Sequence, residues 1–488
     1  AHIAIMIPNS PEHLFVKFAV QMVGAVAVNM NYHEKAPMME LLLNKAQVEV
    51  LFISPDIRQG ETLHIVESVL PRVPKLTRVV LVERPDRRCE IDRAEYNIPG
   101  LLESGALCAR GASMPDEAVE ARAQTVTPDD PSTIIHSSGT TSTPKGVVLT
   151  HRAILENVRM HLVSMRLTPE DRLCMTPPMF HSFGCIGSAL TIFSAGGTLI
   201  CYHWKCGEDL SELLAREKCT VLCSVPTVYV RMVQKIREGE LPKSGPFVFH
   251  TLVAAGAACP ETLLKDMKKV LHAQEILIMY GMTEAGPGIS STEPGDPLDV
   301  LQQTVGRPWP GVQIKIGPLP GECASLDGSG ELLVKSPSLM QCYLNEPEET
   351  AHAFDAEGFL HTGDIARLRP DGRLELCGRC KDLIIHGGEN ITPGEIEVLL
   401  RTNENVADAV VVGVPSYKYG EDIFAFVKLK EGAQPLTADE VKAFCKGKIA
   451  SIKIPEYVQF VDSFPVSDTG KILKRILRDD AKKIVGKD

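Results

Sequence analysis

At 488 residues the chain is too long for one core of ordinary size, so two or more domains are expected. Lys and Arg number 51 and Asp and Glu 62, a net charge of −11 without a long basic run, which argues against a nucleic-acid partner. Hydrophobic residues at 44% and charged residues at 23% are globular proportions, and no run reaches the roughly eighteen apolar residues of a transmembrane segment.

The opening "HIAIMIPNS" reads as a buried strand, and because Ala1 already lies against it, a preceding segment is expected. Ser10-Pro11-Glu12 opens a helix with a cap, a first-turn proline and an acid near the positive helix end. Leu14, Phe15, Phe18, Ala19 and Met22 recur on one face of it, the pattern of an amphipathic helix, and Gly24 helps to end it. "AQVEVLFIS" and "TRVVLVER" are further strands, and helix and strand alternate again through 210–236 and 261–281. That alternation predicts an α/β fold of mainly parallel sheets flanked by helices.

After about residue 375 the texture changes to strand, Gly-rich loop, helix, paired strands and charged helices. The expected organisation is a large domain at 1–378 and a small, mobile α+β domain at 379–488, with "GRCKDL" at the junction. Fourteen cysteines show no disulfide framework, so a reducing, cytoplasmic setting is expected. Cys201, His203 and Cys206, and Cys377 with Cys380, lack a second pair at zinc spacing and read as ordinary thiols.

Between two strand-like runs, "IIHSSGTTSTPKGVVLTH" gathers hydroxyls around Lys145. Backbone N–H groups, hydroxyls and one lysine suit a polyphosphate. A polar surface hairpin explains the window as well. A Walker loop would continue into a helix, whereas "VVLTH" is β-branched and Pro144 removes a donor, so any phosphate loop here has another design. Taken singly, Asp364 reads as a turn residue, Glu284 as a helix N-terminal acid, Tyr280 as core packing and Lys471 as a surface lysine.

Four stretches in order change that reading: "SSGTTSTPKG", "YGMTE", "TGD" with "GRCKDLIIHGGENITPGEIE", and "TGK". Together they resemble the adenylate-forming superfamily of acyl-CoA synthetases, amino-acid adenylation domains and beetle luciferases. The resemblance implies that ATP, Mg²⁺ and a carboxylic acid give acyl-AMP, which coenzyme A then attacks. It implies that Ser137, Ser138, Gly139, Thr140, Thr141, Ser142 and Lys145 surround the phosphates, with Thr141 and Glu284 on the metal. Tyr280 and Gly281 would meet adenine, beside Gly256, Ala257, Ala258, Met282 and Thr283. Asp364, with Arg379 nearby, would hold the ribose, Lys381 would be the hinge, and Lys471 would reach the α-phosphate and the acid. Ser142 departs from the family's usual glycine, which implies a working loop of altered mobility.

"HGGENITPGEIE" resembles the acyl-CoA ligase branch, where Gly387 and Gly388 would line a pantetheine tunnel, and His181 resembles the gating aromatic or histidine of those ligases. "RCKDLIIHGGEN", Ser142 and "GEDIFAFV" also resemble crotonobetaine/carnitine-CoA ligases. The acyl pocket is expected at His181, Phe183, Cys185, Gly256, Ala257, Met279, Gly281 and Pro287, with Met279 filling space where long-chain members carry glycine. The expected partners are a small carboxylic acid, ATP and coenzyme A, and a homodimer is compatible with the reading. Delivery to a carrier protein and an inactive binding homologue are the alternatives.

Overall fold

The computed structural model describes residues 1–54, 61–82, 96–137, 144–203, 209–239, 248–319, 328–386, 389–466 and 472–486. The chain forms two compact units. The first comprises Ala1–Gln302, Trp309–Val312 and Lys335–Gly358, and the second Gln303–Pro308, Gln313–Val334 and Phe359–Asp488.

The first unit is built on two sheets. One contains β1 (His2–Met6), β2 (Val26–Asn29), β3 (Val50–Ile53), β4 (Arg78–Leu81), β5 (Leu101–Glu103), β6 (Pro131–His136) and β7 (Gly146–Thr150). Its order is Cys342–Tyr343, β7, β6, β2, β1, β3, β4, β5, parallel from β6 to β5 and antiparallel at β6–β7 and at the Cys342 edge. The other contains β8 (Arg172–Met175), β9 (Thr198–Cys201), β10 (Val221–Ser224), β11 (Thr251–Ala255), β12 (Glu275–Gly281) and β13 (Gly288–Ser291). It runs β9, β8, β10, β11, β12, β13, and only the β12–β13 pair among these is antiparallel. Every residue of β2 and β10 is buried, as expected of parallel strands covered on both faces.

The helix Pro11–Met22 is capped as expected, Ser10 Oγ accepting from the His13 amide at 3.4 Å. The face it buries differs from the one its apolar spacing marks. His13, Leu14, Lys17 and Val20 are buried, whereas Phe15, Phe18 and Met22 are exposed by 68%, 37% and 54%. The reason lies on β6, whose hydroxyls the polar side chains seek. Lys17 Nζ donates to Thr133 Oγ1 at 3.1 Å, and Gln21 Nε2 donates to Ser132 Oγ at 2.6 Å.

A second departure is the wide, π-type helix Phe183–Leu190, in which Ser188 Oγ donates to the Phe183 carbonyl five residues back. Gly184 is required in it, because a Cβ there would lie 2.2 Å from the Pro178 carbonyl oxygen.

In the second unit, strands Gln313–Gly317, Gly330–Lys335, Leu360–Leu368 and Leu374–Arg379 form one sheet in that order. The other sheet runs Glu389–Ile391, Ile384–His386, Gly420–Leu429, Val406–Ser416, with Tyr457–Phe460 parallel to Gly420–Leu429. Strand alternation explains why helices cover both of its faces. Val411, Ile423 and Ala425 meet Ile396, Leu400 and Val441, while Val410, Phe424 and Phe426 meet Leu477 and Ala481. This is the small α+β domain expected at the C-terminal end. Among the described residues no helix is long and apolar enough to cross a membrane.

Candidate active site

In the first unit the expected site residues follow the carboxyl ends of strands, where open parallel sheets bind ligands. Ser137 to Lys145 lie between β6 and β7, and the Ser137 amide donates to the Lys145 carbonyl at 2.9 Å, tying the ends of the loop together. Ser138, Gly139, Thr140, Thr141 and Ser142 lie outside the described residues. The chain leaves the loop as a strand, as its β-branched residues predict, so this is not a Walker arrangement.

Gly256, Ala257 and Ala258 are exposed directly after β11, Gly256 with a φ of +85°. Tyr280 is half-buried near the end of β12, opposite Ser290. Gly281 must lack a side chain, because a Cβ would fall 1.8 Å from the Pro287 carbonyl oxygen. Met282 leads into a tight turn, Thr283–Ala285, which holds Glu284 only 7% exposed. The turn is fastened by Asn157, whose Nδ2 donates to the Ala285 carbonyl at 3.1 Å and the Gly288 carbonyl at 2.9 Å.

The structure joins these separate motifs. Ser182 Oγ and Thr283 Oγ1 are 3.2 Å apart, bringing the His181 segment to the Glu284 turn. The Phe183 amide donates to His181 Nδ1 at 3.3 Å. Tyr343 Oη donates to Glu284 Oε1 at 3.0 Å, and Lys145 Nζ lies 4.8 Å from the centroid of the same ring. Lys145 also forms an ion pair with Glu349. Phe183 and Met279 share one apolar cluster with Trp309, and Cys185 is fully buried beside Asn29 Nδ2 at 3.5 Å. Burial pushes the Cys185 thiol above its ordinary value.

Tyr343, Glu346, Glu349 and Lys45 belong to this site and escaped the sequence reading. Lys45 Nζ donates to the Pro144 carbonyl at 2.9 Å and pairs with Glu346, clamping the end of the loop. The available signal was Pro347 starting an acid-rich helix within "YLNEPEET", but the strand Cys342–Tyr343 just before it is placed by a non-local pairing with β7.

In the second unit Asp364 is buried and Arg379 Nε lies 3.0 Å from its Oδ1. Lys381 follows, its ammonium lowered to about 8 chiefly by burial and then by the Arg379 charge. Gly387, Gly388 and Lys471 lie outside the described residues. Among the described residues no group of three or more His, Cys, Asp or Glu side chains could hold a metal ion, and Cys201, Cys377 and Cys380 form no disulfide; Cys206 is outside the described residues. The buried Glu284 carboxylate with the adjoining Thr283 hydroxyl is an all-oxygen donor set. It fits Mg²⁺, which needs only one or two carboxylates when phosphates and water complete its shell.

The AMP-binding enzyme family model matches residues 1–344, and the AMP-binding enzyme C-terminal domain model matches residues 395–471. The chain is 34% identical to YngI of Bacillus subtilis (strain 168), named as an acyl-CoA synthetase, over 98% of this chain and 87% of that protein. It is 30% identical to the human mitochondrial medium-chain acyl-CoA ligase ACSF2, over 98% of this chain and 78% of the relative. ATP-bound MatB from Rhodopseudomonas palustris superposes with a TM-score of 0.81 at 25% identity, covering 99% of this chain and 89% of that one.

Proposed function

Since the chain belongs to the AMP-binding enzyme family and is an AMP-forming acid–thiol ligase using ATP and coenzyme A, we propose that it activates a medium-length fatty acid or a similar small organic acid. A carboxylate resists attack by a thiol because oxide would have to leave. Attack of the carboxylate on the α-phosphorus of ATP expels pyrophosphate and converts that oxygen into part of AMP, a good leaving group. Coenzyme A thiolate then attacks the acyl carbon, giving the thioester and AMP.

The residues take up these roles in the proposal. Lys145 and the loop hydroxyls offset charge on the β- and γ-phosphates. Tyr280 stacks on adenine over the bare Gly281 backbone, Asp364 accepts from the ribose hydroxyls, and Lys471 carries a positive charge to the α-phosphate. Glu284, with Thr141, would hold Mg²⁺, which supplies charge neutralisation along the triphosphate. His181 and Phe183 border the acyl side, and Met279 sets its depth.

The observation that supports this reading most is the Lys145–Tyr343–Glu284 contact chain, which connects the two residues to which the proposal gives the phosphates and the metal ion. The test is a series of carboxylic acids of graded length, measuring acid-dependent pyrophosphate–ATP exchange and then thioester formation with coenzyme A. Exchange with medium-length acids, followed by thioester on adding coenzyme A, supports it. Exchange without thioester would favour a carrier protein as acceptor, and no exchange with any acid would sink the proposal.

A further inference from the structure

Residues 338–350 carry none of the recognised motifs, yet they grip both charged groups that the proposed reaction places on the triphosphate. Ser338 Oγ donates to the Ala285 carbonyl at 2.8 Å, the Met340 amide to the Glu284 carbonyl at 2.8 Å, and the Leu344 amide to the Gly146 carbonyl at 2.7 Å. Tyr343 stands between these anchor points, 9% exposed, its amide donating to Thr350 Oγ1 at 2.9 Å. Thr350 Oγ1 in turn donates to the Glu346 carbonyl at 2.8 Å, so the backbone that carries the ring is braced on both sides.

The two ends of this side chain suit opposite charges. The ring face is electron-rich and receives the Lys145 ammonium, while the phenol O–H donates to the Glu284 carboxylate. The ring thus occupies the ammonium at its face while its O–H occupies the carboxylate. With a smaller, featureless side chain there, the ammonium and the carboxylate would be drawn together and neutralise each other before nucleotide arrived. Glu349 does not have that effect, since its side chain is 52% exposed and such a partner is weakly held and readily exchanged for phosphate.

We propose that Tyr343 is a positioning residue that holds Lys145 and Glu284 apart and aimed, so that the first meets phosphate oxygens and the second meets the metal ion. The inference rests on the reading of the chain as an ATP-dependent ligase. Its two parts separate in two variants of the full chain. Tyr343→Phe keeps the ring and removes only the O–H; Tyr343→Leu removes both.

Calorimetric titration with ATP, first without and then with Mg²⁺, measures each part without relying on turnover. In Tyr343→Phe, affinity for metal-free ATP should change less than about twofold, while the tightening caused by Mg²⁺ should shrink about tenfold, the worth of one hydrogen bond to a charged group. In Tyr343→Leu, metal-free affinity should also fall, by about tenfold, as Lys145 is lost to Glu284. A merely structural role would lower the fraction of protein that binds and leave both affinities unchanged. Wild-type Mg²⁺ tightening in Tyr343→Phe, or wild-type metal-free affinity in Tyr343→Leu, would overturn the proposal while the ligase reading stands. Wild-type protein that binds no ATP would overturn both.

Discussion

Arg379 Nε lies 3.0 Å from Asp364 Oδ1, and the two residues are direct partners across the antiparallel strands Leu360–Leu368 and Leu374–Arg379. The register therefore fixes the orientation of the carboxylate. The Asp364 amide is itself held by Thr362 Oγ1 at 3.1 Å, and we propose that the carboxylate accepts from the ribose hydroxyls. Replacing Asp364 with alanine should raise KM for ATP at least about tenfold, since hydrogen bonds to a charged group are worth roughly 1.5–3 kcal/mol each. Folding should suffer little, because Arg379 is 48% exposed and its ion pair is of the weak kind. Steady-state kinetics with a thermal melt checks both; an unchanged KM for ATP would remove Asp364 from the nucleotide site.

Met279 packs with Phe183 and Trp309 at 5% exposure. Met279→Ala should shift preference toward longer acids, since one or two methylenes in an apolar pocket are worth about 1–3 kcal/mol. Stability will fall by a few kcal/mol, as for other truncations of buried side chains, of about 2–5 kcal/mol. The ratio of kcat/KM for long and short acids within the one variant is independent of that loss. An unchanged ratio would make Met279 core packing only.

The strands and the hairpin around the phosphate loop were legible because β-branched apolar runs are a local signal. Lys145 and Glu284 were singled out through family motifs, and the structure connects both to Tyr343. Tyr343 was not, since its phenol meets a residue 59 positions away and its strand is two residues long. The face of the first helix misled for a related reason. Apolar periodicity counts Phe15 and Phe18 and ignores Lys17, but Thr133, which satisfies that lysine, is 116 positions distant. The π-type helix 183–190 brings Gly184 close to the Pro178 carbonyl, a tertiary contact that no helical period announces.

His13, His136 and His161 are each lowered from 6.5 to about 4, mainly by burial. As pH falls below about 6.5, unfolded chains take up protons that the folded protein refuses. Stability should therefore be full above pH 6.5 and decline toward pH 4, by about 2 kcal/mol per histidine at pH 5. Urea midpoints measured from pH 7.5 to 5 should fall steeply, and less steeply in His161→Gln. A flat midpoint over that range would contradict neutral burial of these side chains.

Lys381 lies in the short turn Cys380–Asp382 directly after Arg379, exposed over much of its side chain, its pKa lowered to about 8. We propose it as the pivot of the small domain between half-reactions. Lys381→Pro fixes φ at that point. Acyl-AMP formation should persist, while thioester formation from supplied acyl-AMP should fall at least about tenfold, the cost of about 1.4 kcal/mol against the second arrangement. Equal losses in both steps would point away from a pivot.

Lys471→Ala tests the central claim, that one cation serves adenylation and is withdrawn before coenzyme A attacks. Adenylation brings an anionic carboxylate against an anionic phosphate, and removing a preplaced charge contact commonly costs about 10²–10³ in rate. The measurement takes both half-reactions in the same variant: pyrophosphate–ATP exchange with acid present, and coenzyme A thioester formation from supplied acyl-AMP. The account predicts exchange reduced by at least about a hundredfold with the thioester step within about twofold of wild type. Surviving exchange, or a thioester step that collapses alongside it, would contradict the account.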